Sequence, residues 1–336
     1  MYLKELSELN GVSGNESNVR DFILNKIKDK VDKYWIDKMG NLIVFKKGNG
    51  KGKVVLDAHM DEVGFMITKI NDDGTFSFMP VGGVDPRVVI GKKVLINDRI
   101  SAVIGFKAIH LQKEDYLKTP KFSDLKIDAG FKSKEEASKN VSVGDYVSFT
   151  TKYKQIGNFA TGKAFDDRGG CSILLDLILN DVKSDYDLYF AFVVQEETGL
   201  RGAAVVSEQI KPDFAIALEC TTAGDNPELG KEHWATHLGD GPALTFLHSG
   251  YVIDRKLFEA LVSTAKENNI PFQYKRRTAG GTDAARYARS VYGVPAAVVS
   301  IPSRYIHSPL SVINLDDYHN TYKLVKIFLE KSPITK

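Results

Sequence analysis

Cysteine is nearly absent from this 336-residue sequence, which holds only Cys171 and Cys220. Two thiols exclude a disulfide framework and a four-cysteine zinc site, and both are expected to act as small buried apolar residues. Long hydrophobic runs are missing too. No stretch approaches the roughly 20 apolar residues that a bilayer span requires, and the start, MYLKELSELNGVSGNES, carries no apolar run behind a basic one. A cytoplasmic protein without a membrane partner is the expectation. Charge of one sign is scarce: 45 Lys and Arg stand against 43 Asp and Glu, a formal net charge of +2. No overall basic field points to nucleic acid. What is present, 43% hydrophobic and 26% charged residues, is enough to build a full core.

The pattern changes period along the chain. An amphipathic helix at the N-terminus precedes a second one in NESNVRDFILNKIKDKV, where Val19, Phe22, Ile23 and Ile27 recur at helical spacing. Then YWIDKMGNLIVFKKGNGKGKVVLDAHMD reads as three strands separated by Gly turns. From residue 67 to 152 the sequence turns to short strands broken by Gly, Pro, Asn and Asp, with only SKEEASK helical in character. Afterwards helices and strands alternate, from GGCSILLDLILND through YDLYFAFVV, GAAVVSEQI, DFAIAL, DRKLFEALVSTAKENN and AAVVSI to LDDYHNTYKLVKIFLEK. This order predicts an α/β fold with a mostly parallel sheet covered by helices, formed by residues 1–66 and 153–336, and a small β-rich domain, 67–152, inserted into it. Ligands of such sheets bind beyond the carboxyl ends of the strands.

Those ends are where the chemistry collects. VVLDA runs into His59 and Asp61, YFAFVV into Glu196 and Glu197, FAIAL into Glu219, and AAVVSIPSRYI into His307; Asp166 and Asp167 precede a helix. Alternation along an extended chain sends His59 and Asp61 the same way, so the aspartate is placed to accept the second ring hydrogen of a metal-bound imidazole. The same alternation separates Glu196 from Glu197, so one carboxylate can bind metal while the other reaches a water. Two imidazoles with Asp166, Glu197 and Glu219 make up two sites of three protein ligands each if one carboxylate is shared. Each motif has a plainer reading: an HxD pair in a surface loop, an EE pair in a solvated turn, DDR as a helix cap. Their coincidence at one end of successive buried strands favours the metal. The remaining histidines, His110, His233, His237, His248 and His319, show no ligand spacing and are expected on the surface or in loops.

In order along the chain, LDAHMDEVGF, TGKAFDDRGGC, VQEETGLRGA, CTTAGDNPE, AGGTDAARYA and PSRYIHSP resemble the motifs of the tetrahedral (TET) aminopeptidases, the family of glutamyl and deblocking aminopeptidases, some of them once called endoglucanases. The resemblance implies a two-metal aminopeptidase acting on peptide substrates. It makes Asp166 the bridging ligand, with His59 and Glu219 at one ion and Glu197 and His307 at the other. Glu196 becomes the general base for a water held between the ions, and Asp61 orients His59. The ions implied are zinc or cobalt, with manganese as a further option, and Glu219 stands where aspartate is commoner. The resemblance also implies a cis Asp166–Asp167 peptide, dimers formed through the inserted domain, and a hollow dodecamer of six dimers. AGGTDAARYA adds Gly281, Thr282 and Asp283 as substrate-binding candidates, although the same residues also suit a Gly-Gly turn capping a helix. Arg168 and Arg304 are candidates for pairing with ligand carboxylates or for meeting an acidic substrate, with ion pairing favoured.

Two other readings compete. A non-catalytic peptide-binding scaffold has no chemical need of a complete ligand set plus Glu196. Glycoside hydrolysis by paired carboxylates needs two carboxyl groups facing each other across a sugar and leaves both histidines idle.

Overall fold

The computed structural model describes residues 1–112, 118–249, 251–278 and 280–334. Ala279, the first residue of the AGGTDAARYA motif, lies outside them. The opening strands form as the pattern predicts, at Lys33–Ile36, Leu42–Lys46 and Lys53–His59, with Gly40 and Gly50 in the turns at φ of 104° and 80°.

These strands join one large sheet. Its order is Lys33–Ile36, Leu42–Lys46, Asp187–Val193, Lys53–His59, Phe214–Thr222, Ala296–Arg304, Ser311–Asn314, Phe159–Gly162, Lys154–Ile156. Asp187–Val193, Lys53–His59, Phe214–Thr222 and Ala296–Arg304 run parallel to one another. The outer strands on both sides pair antiparallel. A short parallel pair, Ala243–Leu244 with Gln273–Tyr274, is attached to the Ala296–Arg304 strand. The expectation of a mostly parallel sheet is therefore corrected: parallel pairing is confined to the centre and to this short pair. The physical reason is loop length, because strands joined by a few residues, as Ile36 to Leu42 or Ile156 to Phe159, have no room for a crossover.

The central strands are apolar because both of their faces are covered. All of Phe214–Thr222 except its last residue is buried, as is nearly all of Ala296–Arg304. The helix Phe165–Leu179, apolar on every side, packs against Lys53–His59 and Phe214–Thr222 and touches the helices Leu3–Glu8, Ser17–Ile27 and Leu315–Lys331. The helix Arg201–Ile210 packs on Asp187–Val193 and beside Ala284–Ala288. Both cysteines are buried, as expected. Among the described residues no helix is long and apolar enough to cross a membrane.

The inserted segment closes into a small barrel of six strands, Gly64–Ile70, Phe76–Val81, Lys93–Ile96, Ile100–Gly105, Lys126–Asp128 and Tyr146–Phe149. Phe65 centres its core, edge-on to Phe78 at 5.1 Å and Phe149 at 5.4 Å. Two sequence expectations shift here. The barrel's first strand starts at Gly64, ahead of residue 67, because Phe65 already belongs to this core. Besides Lys134–Ser138 there is a second short helix, Pro86–Val89, begun by Pro86 and by the Asp85 carboxylate accepting from the Arg87 amide at 2.8 Å.

Candidate metal centre

Four parallel strands deliver their carboxyl ends to one place, and the sequence continues there with acids and imidazoles. His59 ends its strand buried, at 1% exposure, and Glu219 sits within Phe214–Thr222 at 5%. Asp166 enters from the start of the Phe165–Leu179 helix, and its peptide bond to Asp167 is cis. Glu196 and Glu197 follow the Asp187–Val193 strand across a turn in which Gln195 has φ of 57°. This turn, and not strand alternation, separates the two glutamates. Glu196 faces His59, Oε2 to Nε2 at 3.9 Å, while Glu197 faces His307, Oε1 to Nε2 at 3.4 Å.

Asp166 lies between the two imidazoles. Its Oδ1 is 3.4 Å from His59 Nε2 and its Oδ2 3.3 Å from His307 Nε2. Glu219 Oε2 is 3.8 Å from His59 Nε2. The far side of each ring is tied to a carbonyl: His59 Nδ1 donates to Asp61 O at 3.1 Å, and His307 Nδ1 donates to Gly83 O at 3.0 Å. A carbonyl only accepts, so Nδ1 carries the hydrogen and each Nε2 presents a lone pair when the ring is neutral. Gly83 comes from the barrel, so the inserted domain helps to set a residue of the site.

Asp61 meets the His59 ring through both its carbonyl and its carboxylate. The His59 ring bonds its backbone carbonyl, and the carboxylate is 3.4 Å away. That carboxylate also accepts from Ser13 Oγ at 2.6 Å and from the amides of Glu196 and Glu197 at 3.0 and 3.1 Å. Asp61 thus holds the glutamate turn in place. Glu16, also buried, accepts from the Gln195 amide at 3.2 Å and secures the same turn from the N-terminal segment.

Electrostatics follows from crowding acids into a dry pocket. Burial, reinforced by neighbouring carboxylates, raises Glu196 to about 7 and Glu197 to about 8, and pushes Glu219 well above its usual range. For His307 burial works downward, but Asp166, Glu197 and Glu196 outweigh it and raise the ring to about 9. Burial would raise Asp166, yet the two imidazoles hold it low. Such a cluster takes up protons when no cation is bound. Among the described residues nothing hydrogen-bonds to the buried His59 Nε2 and Asp166 Oδ1. Ligand atoms of His59, Asp166 and Glu197 lie within 4.8 Å of one another, as do those of His59, Asp167 and Glu219. Imidazole nitrogens and carboxylate oxygens aimed at one point are the donor set of zinc and similar divalent ions, so the residues fit the implied cofactor.

Asp167 is the residue missed by sequence reading. It is fully buried, and its carboxylate accepts from the Gly170 amide at 2.8 Å and from the His59 amide at 3.3 Å. The signal was the doubled aspartate itself. Arg168 is spent on backbone carbonyls, Met60 O at 2.8 Å, Leu6 O at 2.6 Å and Leu9 O at 3.0 Å. Beneath it Lys163 Nζ contacts both oxygens of Glu62 at 2.6 and 2.8 Å.

A cavity of about 610 Å³ opens beside these groups, lined by Asp166, Glu196, Glu197, Glu219 and His307 together with Gly281 and Thr282. Asp283 is a correction, whereas Arg304 takes the first of its expected roles, pairing with a carboxylate. Asp283 is fully buried and does not line the cavity, and burial together with the charge of Asp57, which accepts from Tyr287 Oη at 2.6 Å, pushes its carboxyl well above the usual range. Arg304 forks onto the buried Asp225 at 2.6 and 2.9 Å, so its guanidinium is committed to an ion pair. His248 is a further correction: it is buried at 2% exposure, edge-on to Tyr251.

Comparison with known proteins agrees with this geometry. A family model described as M42 glutamyl aminopeptidase matches residues 40–324. The structure of an endoglucanase from Thermotoga maritima is 52% identical over 99% of this chain and 97% of its own, with a TM-score of 0.84. The Pyrococcus horikoshii TET1 peptidase, which assembles into a tetrahedron or a large octahedral shell, is 33% identical over 97% of this chain and 98% of its own, with a TM-score of 0.87. The lysyl aminopeptidase of Pyrococcus furiosus is 34% identical over 98% of this chain and 96% of its own.

Proposed function

The chain belongs to the M42 glutamyl aminopeptidase family and is an aminopeptidase, and from that premise we propose that it works with two divalent cations and uses Glu196 as its general base. His59, Asp166 and Glu219 would hold one ion and Asp166, Glu197 and His307 the other. The observation that carries this reading is the single carboxylate of Asp166 with one imidazole at each oxygen, 3.4 and 3.3 Å away. When bound, the ions supply Lewis acidity toward a peptide carbonyl and make a water acidic enough to react near neutral pH. Zinc or cobalt suits these donors best, and manganese is a further option.

The residues do the rest. The free amine of a peptide would be held at the pair of ions, which is why the cut falls at the N-terminus. Glu196, raised to about 7, is poised to take a proton from the attacking water. It returns that proton to the departing amine as the C–N bond breaks, so the peptide gains one water and the carboxylate is regenerated. Asp61 keeps Glu196 aligned by fixing its backbone amide.

Glu196→Gln is the test. It keeps the shape and removes the base, so kcat on aminoacyl-p-nitroanilides should fall by about 100- to 10,000-fold while metal content stays at the wild-type level. Activity near wild type in that variant would take Glu196 out of the role. The N-acetylated form of a good substrate should not be cleaved.

We propose in addition that the barrel is a dimerisation domain, that dimers build a tetrahedral dodecamer acting on unfolded peptides, and that the protein works in the cytoplasm.

A further inference from the structure

The cavity beside the metal ligands continues past His307 into a second one of about 390 Å³. Gly83, Ile306 and His307 line both, so the two spaces meet at a residue assigned to the metal ions. One wall of the second cavity is the loop 305–310, and the other is the barrel, through Val88 and Lys92. The cleft between them has a fixed shape. His307 Nδ1 donates to Gly83 O across it at 3.0 Å, and Ser308 Oγ ties the loop by donating to Leu310 O at 2.8 Å. Tyr305, Leu310 and Val88 are 51%, 41% and 38% exposed there, apolar area that the fold does not use. The charge of Asp85 is answered by Arg87, whose Nε donates to both of its oxygens at 3.0 Å. Lys92 has a pinned backbone, its amide donating to Val89 O at 3.1 Å and its carbonyl accepting from the Ile104 amide at 3.0 Å. Its ammonium forms no ion pair among the described residues. An apolar cleft with one unanswered cation fits an apolar residue that ends in a carboxylate.

We propose that this second cavity seats the residue that follows the scissile bond, with a preference for an apolar side chain, and that Lys92 receives its carboxylate when the substrate is a dipeptide. This rests on the aminopeptidase reading above and deepens it. The first residue of the peptide occupies the cavity of about 610 Å³, the bond lies at the metal ligands, and the departing residue passes His307 toward the barrel. Consecutive side chains of an extended peptide point to opposite sides, which suits two cavities that meet at one residue. Because the loop and the barrel are already fastened together, little ordering is needed when the peptide enters. The inserted domain thereby becomes part of the substrate site through Val88 and Lys92, beyond the role in assembly that the sequence suggested for it.

The experiment compares kcat/KM of the metal-loaded protein on leucyl-leucine, leucyl-glycine and leucyl-leucinamide, for the wild type, Leu310→Ala and Lys92→Gln. All three substrates place leucine in the first cavity, so their ratios report on the residue behind the cut alone. Both substituted side chains are exposed, so the variants should fold as the wild type does. The wild type should favour leucyl-leucine over leucyl-glycine by about tenfold, and Leu310→Ala should narrow that gap. It should favour leucyl-leucine over leucyl-leucinamide by about fivefold, and Lys92→Gln should bring that ratio close to one. A wild-type ratio near one for either pair, or either ratio unchanged in its variant, overturns the proposal. A cleft closed by a second copy of the chain gives ratios near one in all three proteins, and that result also overturns it. If no dipeptide is cleaved, the activity reading fails, and a binding comparison without turnover still decides. It sets leucyl-leucine with its peptide bond replaced by a methyleneamine against the C-terminal amide of the same analogue, by calorimetry on the wild-type protein. Tighter binding of the free acid is expected, and equal binding overturns the role of Lys92.

Discussion

At the scale of single residues, the site is a set of acids and imidazoles whose protons stand in for cations. Glu197 is raised from 4.5 to about 8 and His307 from 6.5 to about 9. The metal-free folded chain therefore holds these protons more tightly than the unfolded chain. The stability they contribute is complete below pH 4.5 and 6.5 respectively, and is lost as pH rises through about 8 and 9. The melting temperature of metal-stripped protein should accordingly fall across that interval, and added zinc should restore it while releasing protons, seen by calorimetry in buffers of different ionisation enthalpy. A flat profile would contradict the assignment. Asp166→Asn removes the shared charge and should abolish binding of both ions, read by metal analysis. Most of this site was legible in the sequence, because His59, Glu196, Glu219 and His307 each follow an apolar run. Glu16 and Ser13 were not, since only folding brings them within reach of those strand ends.

At the scale of elements, the N-terminal segment, the barrel and the sheet meet at Glu62. This residue is 2% exposed, carries both contacts of Lys163, accepts from the Gly11 amide at 3.0 Å and lies 3.7 Å from Arg168. Burial works against the Lys163 ammonium and leaves its pKa at about 8, despite the attraction of Glu62. Removing one partner strands the other, so Glu62→Gln should cost about 3–5 kcal/mol of stability, measured by calorimetry. A melting temperature equal to wild type would show the pair to be dispensable. The alternation of helices and strands foretold the central parallel strands well, because buried apolar runs and amphipathic helices differ in period. It overstated parallel pairing, since the outer strands are set by short loops, and loop length constrains pairing more than composition does. The extent of the barrel was blurred for a similar reason: Phe65 and Ile67 lie on one strand across the expected boundary.

At the scale of the whole molecule, the barrel stands beside the site it helps to build, through Gly83 and His307. Assembly through the barrel would thus act close to the catalytic groups. Sedimentation at micromolar concentration should give a mass several times the 37.3 kDa of one chain, and a monomer alone would contradict self-association. The central claim is that two cations and a free substrate amine are required together. It is tested most directly by titrating metal-stripped protein with zinc, cobalt or manganese while following cleavage of a free-amine peptide and its N-acetylated twin. Cleavage of the free peptide alone, rising until about two ions are bound per chain, is the predicted result. Full activity without metal, or equal cleavage of the acetylated peptide, would contradict it.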